Sequence, residues 1–172
     1  MKRTITDAQF VELVEQHRRI LYKVASSYCR NTDDRHDLIQ EITVQLWQSI
    51  HRYDPAQRFT TWMYRVAMNV AISFYRTHRT RSERTIPIEG SVLELAAPEG
   101  ESDDIRLLRR FIDQLDDLSK ALVILYLDGN SYETIAEVLG ISLTNVATKL
   151  NRVKERLRRD FDATKEPAHG TR

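Results

Sequence analysis

The stretch Ser131–Arg159, SYETIAEVLGISLTNVATKLNRVKERLRR, decides the fold. Ser131 and Ser142 each stand just before an apolar-periodic run, as helix N-caps do, and Gly140 permits a sharp turn between the two runs. Ile135, Leu139, Ile141 and Val146 anchor the pair from behind, and Ala136 is small enough to let the helices touch. Two helices joined by a short turn containing Gly make a helix-turn-helix. Such a motif puts the start of its second helix into the major groove, so Thr144, Asn145, Thr148, Lys149 and Arg152 face base edges and phosphates. Lys154, Arg156 and Arg158 lie farther along, where they hold backbone. A plain helical hairpin with a solvated basic face is the competing reading, and the agreement of cap, turn and charge favours DNA.

Working back from this motif, Leu118 to Leu127 reads as an apolar helix that Gly129 closes, and Leu108, Phe111, Ile112 and Leu115 mark another before it. These make a C-terminal four-helix domain, 105–160. At the other end, Thr6 and Gln9 form a capping box, and Phe10, Leu13, Val14, His17, Leu21, Val24 and Tyr28 recur as one face of a single long helix. Leu38, Ile39, Ile42, Leu46 and Ile50 form a second stripe, ending near Tyr53-Asp54-Pro55. Thr60 is placed to cap a third helix, with Phe59, Met63, Val66, Val70 and Phe74 inward and Arg65, Asn69 and Arg76 on another side. Three helices with short connections predict an N-terminal bundle, 1–84. No strand pattern competes, so the fold class is all-α, two small helical domains joined by a linker.

Charge marks that linker. Twenty-six Lys and Arg against 25 Asp and Glu leave a formal net charge of +1 over 172 residues, but the signs are segregated. RTHRTRSER carries Arg76, Arg79, Arg81 and Arg84, and KLNRVKERLRR carries Lys149, Arg152, Lys154, Arg156, Arg158 and Arg159. Between these basic stripes, Ile86 to Asp104 holds Glu89, Glu94, Glu99, Glu101, Asp103 and Asp104 with no Lys or Arg, punctuated by Pro87, Gly90, Pro98 and Gly100. The segment 85–104 therefore reads as an acidic flexible linker, and 161–172 as a flexible tail without an assigned role.

Other chemistries find little support. Cys29 is a single cysteine, and His17, His36, His51, His78 and His169 have no metal-ligand spacing, so no metal and no cofactor is expected. Asp33-Asp34, Asp103-Asp104 and Asp116-Asp117 could suggest metal-dependent phosphodiester chemistry, but each pair falls at a helix start or turn where caps and the helix dipole favour acids. No GxxxxGK[ST], GxGxxG or HExxH occurs. No apolar run approaches the roughly 20 residues a membrane span needs, and the N-terminus lacks a secretion signal, which points to a cytoplasmic protein without membrane insertion.

Three stretches then carry a resemblance. DRHDLIQEITVQLWQSIHRYDP, FTTWMYRVAMNVAISFYRTHR and LSKALVILYLDGNSYETIAEVLGISLTNVATKLNRVKERLRR are similar, in that order, to the core-binding helix, the −10 element helix and the −35 element domain of the extracytoplasmic-function (ECF) sigma factors of bacterial RNA polymerase. The resemblance implies a non-enzymatic specificity subunit that binds core polymerase, recognises promoter DNA at both elements, and melts it. It implies that Asp37, Leu38, Gln40, Glu41 and Trp47 dock on the clamp helices of the polymerase's largest subunit. It places Asn69 at a pocket for a flipped −10 base completed by the loop Tyr53 to Arg58, with Arg65, Arg76 and Arg79 on the DNA side. Thr144, Asn145, Thr148, Lys149, Arg152 and Lys154 fall to the −35 element. Family members often carry a basic residue where this chain has Ala147, and an aromatic, His or basic residue where it has Asn151, which leaves Thr148, Lys149 and Arg152 as the stronger candidates. The acidic linker resembles the family's connector toward the RNA exit path, and an anti-sigma factor is the expected regulator. Two other classes fit the residues alone: a dimeric repressor or activator bound to a palindrome, and an interaction protein that titrates an anti-sigma factor.

Overall fold

A computed structural model describes residues 5–84 and 102–165 of the chain. The chain divides into two units, Met1–Ile86 and Pro87–Arg172, and among the described residues all regular structure is helical.

The first unit holds α1 (Asp7–Gln16), α2 (Arg18–Tyr28), α3 (Thr32–Ser49), a 3-10 turn (Ile50–Arg52) and α4 (Phe59–Arg84). The Thr6–Gln9 capping box forms as its residues predict, with Gln9 N–H donating to Thr6 Oγ1 at 3.3 Å and Thr6 N–H to Gln9 Oε1 at 3.0 Å. The expected single first helix is two, because the backbone turns at His17 (φ −110°, ψ 14°). No Gly or Pro announces that break. At the break the His17 ring lies 5.9 Å from Phe59 at the start of α4, and Phe10 and Val14 before it and Leu21, Val24 and Ala25 after it are all buried. In α3, Asn31 caps the first turn through Asp34 N–H at 2.7 Å, and Leu38, Ile42 and Leu46 are fully buried.

The inward face of α4 differs from the expected stripe. Met63, Ala67 and Ala71 are fully buried, with Phe59, Trp62, Tyr64 and Met68 beside them, whereas Val66, Val70 and Phe74 are half-buried. Alanines occupy the centre because α2 and α3 both pack on this helix, and close approach of helices favours small residues. The helix begins at Phe59, one residue before the expected Thr60 cap.

The second unit holds α5 (Asp103–Asp113), α6 (Asp117–Leu127), α7 (Tyr132–Leu139) and α8 (Leu143–Lys165). Its core is α6, buried from Ser119 through Leu125. Lys120 is only 2% exposed, and its ammonium meets Asp113 at 3.2 Å, tying α6 to the end of α5. Burying an ammonium is costly unless it is paired, and the Asp113 carboxylate supplies that partner. The acidic pairs sit where the dipole favours them: Asp103 and Asp104 fill the first turn of α5, and Asp116 caps α6 through Ser119 N–H at 3.0 Å. The expected boundaries shift, since α5 starts inside the expected linker with Ser102 as its cap, and α8 continues to Lys165, inside the expected tail. The rest of the linker, 85–101, and of the tail, 166–172, lies outside the described residues.

Candidate nucleic-acid interface

In the second unit, Ser131 Oγ accepts the Thr134 N–H at 3.2 Å and Ser142 Oγ accepts the Asn145 N–H at 3.2 Å, so both expected caps form. Each such cap contributes about 1 kcal/mol. Gly140 adopts φ +66°, the left-handed conformation that closes α7, and Ile141 N–H donates back to the Ala136 carbonyl at 3.1 Å. Val146 and Leu150 are buried along with Ile135 and Val138, which fixes the rotation of α8 about its axis. Thr144, Thr148 and Arg152 consequently form one exposed ridge, with Asn145 exposed and Lys149 half-buried on the next. Asn151 is exposed and Ala147 half-buried beside them.

Lys154 differs from its neighbours. Its ammonium donates to the Tyr126 hydroxyl at 3.0 Å and stands 4.2 Å from the centre of the same ring, while Tyr132 meets Tyr126 edge-on at 6.2 Å. The Tyr126 hydroxyl bond outweighs partial burial, and with the nearby Tyr132 hydroxyl raises the Lys154 pKa above its usual value. This cation is thus engaged by the end of α6 and the start of α7. Sequence reasoning missed Tyr126, whose only signal was an aromatic at the end of an otherwise aliphatic helix. At Asp116 burial opposes ionisation, yet hydrogen bonds from the Ser119 hydroxyl and amide, with the Lys149 charge, hold the carboxyl below its usual range.

In the first unit, Asp37, Gln40, Glu41 and Trp47 are all exposed along one face of α3. Leu38 is a correction: it is fully buried in the core and can touch no partner, so its part is to seat the helix. Val44, unnoticed in the sequence because it falls out of phase with the apolar stripe, is 51% exposed between Gln40 and Trp47. Trp47, 44% exposed, packs edge-on against Phe10 of α1 at 5.1 Å between ring centres. The face is an apolar pair rimmed by amides and acids.

On α4, Asn69 and Arg76 are exposed and Arg65 half-buried, at spacings of four and seven that keep them on one side. Arg79 belongs to the same helix, its side chain outside what is described. Arg58 is exposed at the end of the loop. Tyr53 opens the loop and is more anchored than expected: its hydroxyl donates to the Gln57 carbonyl at 2.7 Å, and its ring lies 5.5 Å from Phe59 and 5.3 Å from Trp62. Burial, then the Asp54 charge, raises its pKa. Asp54 Oδ1 also accepts the Ala56 N–H at 3.0 Å, so the loop is pinned at both ends. Among the described residues no group of three or more His, Cys, Asp or Glu side chains could hold a metal ion, and no helix is long and apolar enough to cross a membrane.

The fold is that of a two-unit helical protein whose second unit is a helix-turn-helix, a motif that binds DNA. Comparisons with known proteins agree on what kind. Residues 13–81 match the Sigma-70 region 2 family and residues 105–157 the Sigma-70, region 4 family. The chain is 29% identical over 153 residues to the ECF RNA polymerase sigma factor SigE of Mycolicibacterium smegmatis, covering 86% of this chain and 59% of that protein. It is 26% identical over 168 residues to the RNA polymerase sigma factor SigV of Bacillus subtilis, covering 96% and 97%. Among solved structures, CnrH in complex with the cytosolic domain of CnrY superposes with a TM-score of 0.66 at 23% identity, covering 92% of this chain and 90% of that one. The sigma factor RpoE in complex with the anti-sigma factor NepR from Bartonella quintana gives 0.66 at 20%, covering 89% and 96%. The chain belongs to the sigma-70 family of RNA polymerase sigma factors, in its ECF group. It is a transcription-initiation subunit that joins core RNA polymerase and directs it to promoters.

Proposed function

We propose a division of labour between the two units. The α3 face of Asp37, Gln40, Glu41 and Trp47, with Val44 between them, docks on core polymerase. Asn69, Arg65, Arg76 and Arg79 on α4, with the loop from Tyr53 to Arg58, take the melted −10 strand. Thr144, Asn145, Thr148, Lys149 and Arg152 read the −35 element, and the acidic segment between the units connects them. The chain itself carries out no catalysis; polymerase supplies it. It works in the cytoplasm, and an anti-sigma factor holds it inactive by covering the polymerase- and DNA-binding faces.

The observation that supports this reading best is the rotation of α8. Burial of Val146 and Leu150 turns a ridge of hydroxyl and guanidinium groups outward at the start of the helix, where a major groove can be read. An amide at Asn69 offers a donor and an acceptor to a base edge, and such contacts must offset the few kcal/mol that unstacking a base costs.

The test is run-off transcription with purified core polymerase and a library of genomic promoters, with and without the chain. New start sites sharing two spaced elements are expected. Lys149→Ala and Arg152→Ala lose promoter-specific initiation while retaining core binding, and normal initiation by both would remove α8 from recognition. Binding to a palindrome without polymerase would instead indicate a dimeric regulator. Affinity for an anti-sigma factor without any for core polymerase would indicate a titrating protein.

A further inference from the structure

We propose that Leu143, the first residue of α8, contacts the C5-methyl group of a thymine in the −35 element and so determines specificity beside the polar readers; this rests on the reading that α8 lies in the −35 major groove. Ser142 Oγ, bonded to the Asn145 N–H at 3.2 Å, fixes where α8 begins, and the buried Val146 and Leu150 fix its rotation. The outer surface of the helix is then a set of neighbouring ridges. Thr144, Thr148 and Arg152 form the central one, with Asn145 and Lys149 on one side of it and Leu143, Ala147 and Asn151 on the other. Successive members of a ridge stand roughly 6 Å apart along the axis, at 1.5 Å per residue.

Leu143 is 46% exposed, so it contributes little to the core. Side chains on a helix lean back over the preceding turn, so the residue placed to cover Leu143 is Ala147, and its methyl is too short to do so. An isobutyl group therefore stands open in the first turn of α8, the part of a recognition helix that meets base edges. Its surroundings select the ligand. Thr144 and Asn145 follow it in the chain and Asn151 ends its ridge, all of them polar and exposed. A protein partner would bring a continuous apolar core to its interface. The major-groove edges of DNA instead present donors and acceptors with a single apolar feature, the thymine methyl. One open leucine set in a polar and cationic surface has that same pattern.

The test uses holoenzyme assembled from core polymerase and the full chain, on a promoter found by run-off transcription. Each base pair of its −35 element is replaced in turn, and then each thymine, on either strand, is exchanged for deoxyuridine, which deletes the C5-methyl and keeps the pairing. At one thymine the exchange weakens wild-type binding roughly fourfold, as one lost methyl contact implies. Leu143→Ala binds the thymine template with a loss of the same order and suffers no further loss on deoxyuridine, while Leu143→Met keeps the discrimination. Both variants bind core polymerase as wild type does. An element without thymine, no loss from any deoxyuridine, an equal loss in wild type and Leu143→Ala, or weakened core binding by Leu143→Ala would each overturn the proposal, the last by placing Leu143 against polymerase. If base-pair replacements leave wild-type binding unchanged, the reading of α8 itself falls, and the proposal with it.

Discussion

Lys154 offers a prediction in which geometry and composition disagree. By composition it is one more cation in a basic helix and should touch a phosphate. By geometry it is a strut, with its ammonium 3.0 Å from the Tyr126 hydroxyl and 4.2 Å from the ring centre. A cation over an aromatic ring at a partly exposed site contributes about 0.5–1 kcal/mol. The hydrogen bond adds roughly 1 kcal/mol, and ordering a lysine side chain takes back a comparable amount. Lys154→Ala should therefore destabilise the second unit by about 1 kcal/mol, a shift of roughly 4–8 °C for a domain of its size. Tyr126→Phe, which keeps the ring and loses the hydroxyl, should cost less, and the double variant should show coupling beyond the sum. The decisive assay is the salt dependence of promoter binding by holoenzyme. Every phosphate that a variant no longer neutralises lowers the slope by about 0.9, so Arg152→Ala should lower it while Lys154→Ala leaves it unchanged. A drop of about 0.9 for Lys154→Ala with no change in thermal stability would refute the strut.

Three further outcomes are expected. Leu38→Ala should destabilise the first unit by about 2–5 kcal/mol because Leu38 is fully buried, whereas Glu41→Ala should leave unfolding unchanged and weaken core-polymerase binding in a pull-down. Gly140→Ala should cost about 1–2 kcal/mol in a denaturant titration: φ is +66°, but an added Cβ meets no atom within 4 Å, so the penalty is purely conformational. Asp116, with a carboxyl pKa below its unfolded value, contributes stability present above the unfolded value near 3.9 and lost as pH falls through its folded value; Asp116→Asn should flatten the acid limb of stability against pH.

Local signals make much of this fold legible, and tertiary packing hides the remainder. Ser131, Gly140 and Ser142 act within one turn of themselves, and the structure gives each the role its residue type implies. No Gly or Pro marks the break at His17, so the uninterrupted spacing from Phe10 to Tyr28 reads as one helix. The face of α4 departs from its apolar stripe for a related reason. Hydrophobicity ranks Val66 and Val70 above Ala67 and Ala71, but where two helices press on a third, size decides. Among candidate site residues, exposure separates Asp37 and Glu41 from Leu38 although all lie within two turns, and a resemblance that maps positions along the chain carries no information about which side chain turns inward.

The interleaving of buried and exposed positions explains how small units can be both stable and selective. In α8 the same turns supply Val146 and Leu150 to the core and Thr144, Thr148 and Arg152 to the outside, so orienting the side chains proposed to read DNA takes no extra structure. The same economy limits affinity, because few side chains are left to touch DNA and each good base contact discriminates by only about 1–3 kcal/mol. Joining two such units to one polymerase makes the second binding event intramolecular and raises its effective concentration. Under the proposed division, the free chain then binds promoters poorly and the holoenzyme binds them well, and selectivity becomes a property of the pair of elements and their spacing rather than of either helix alone.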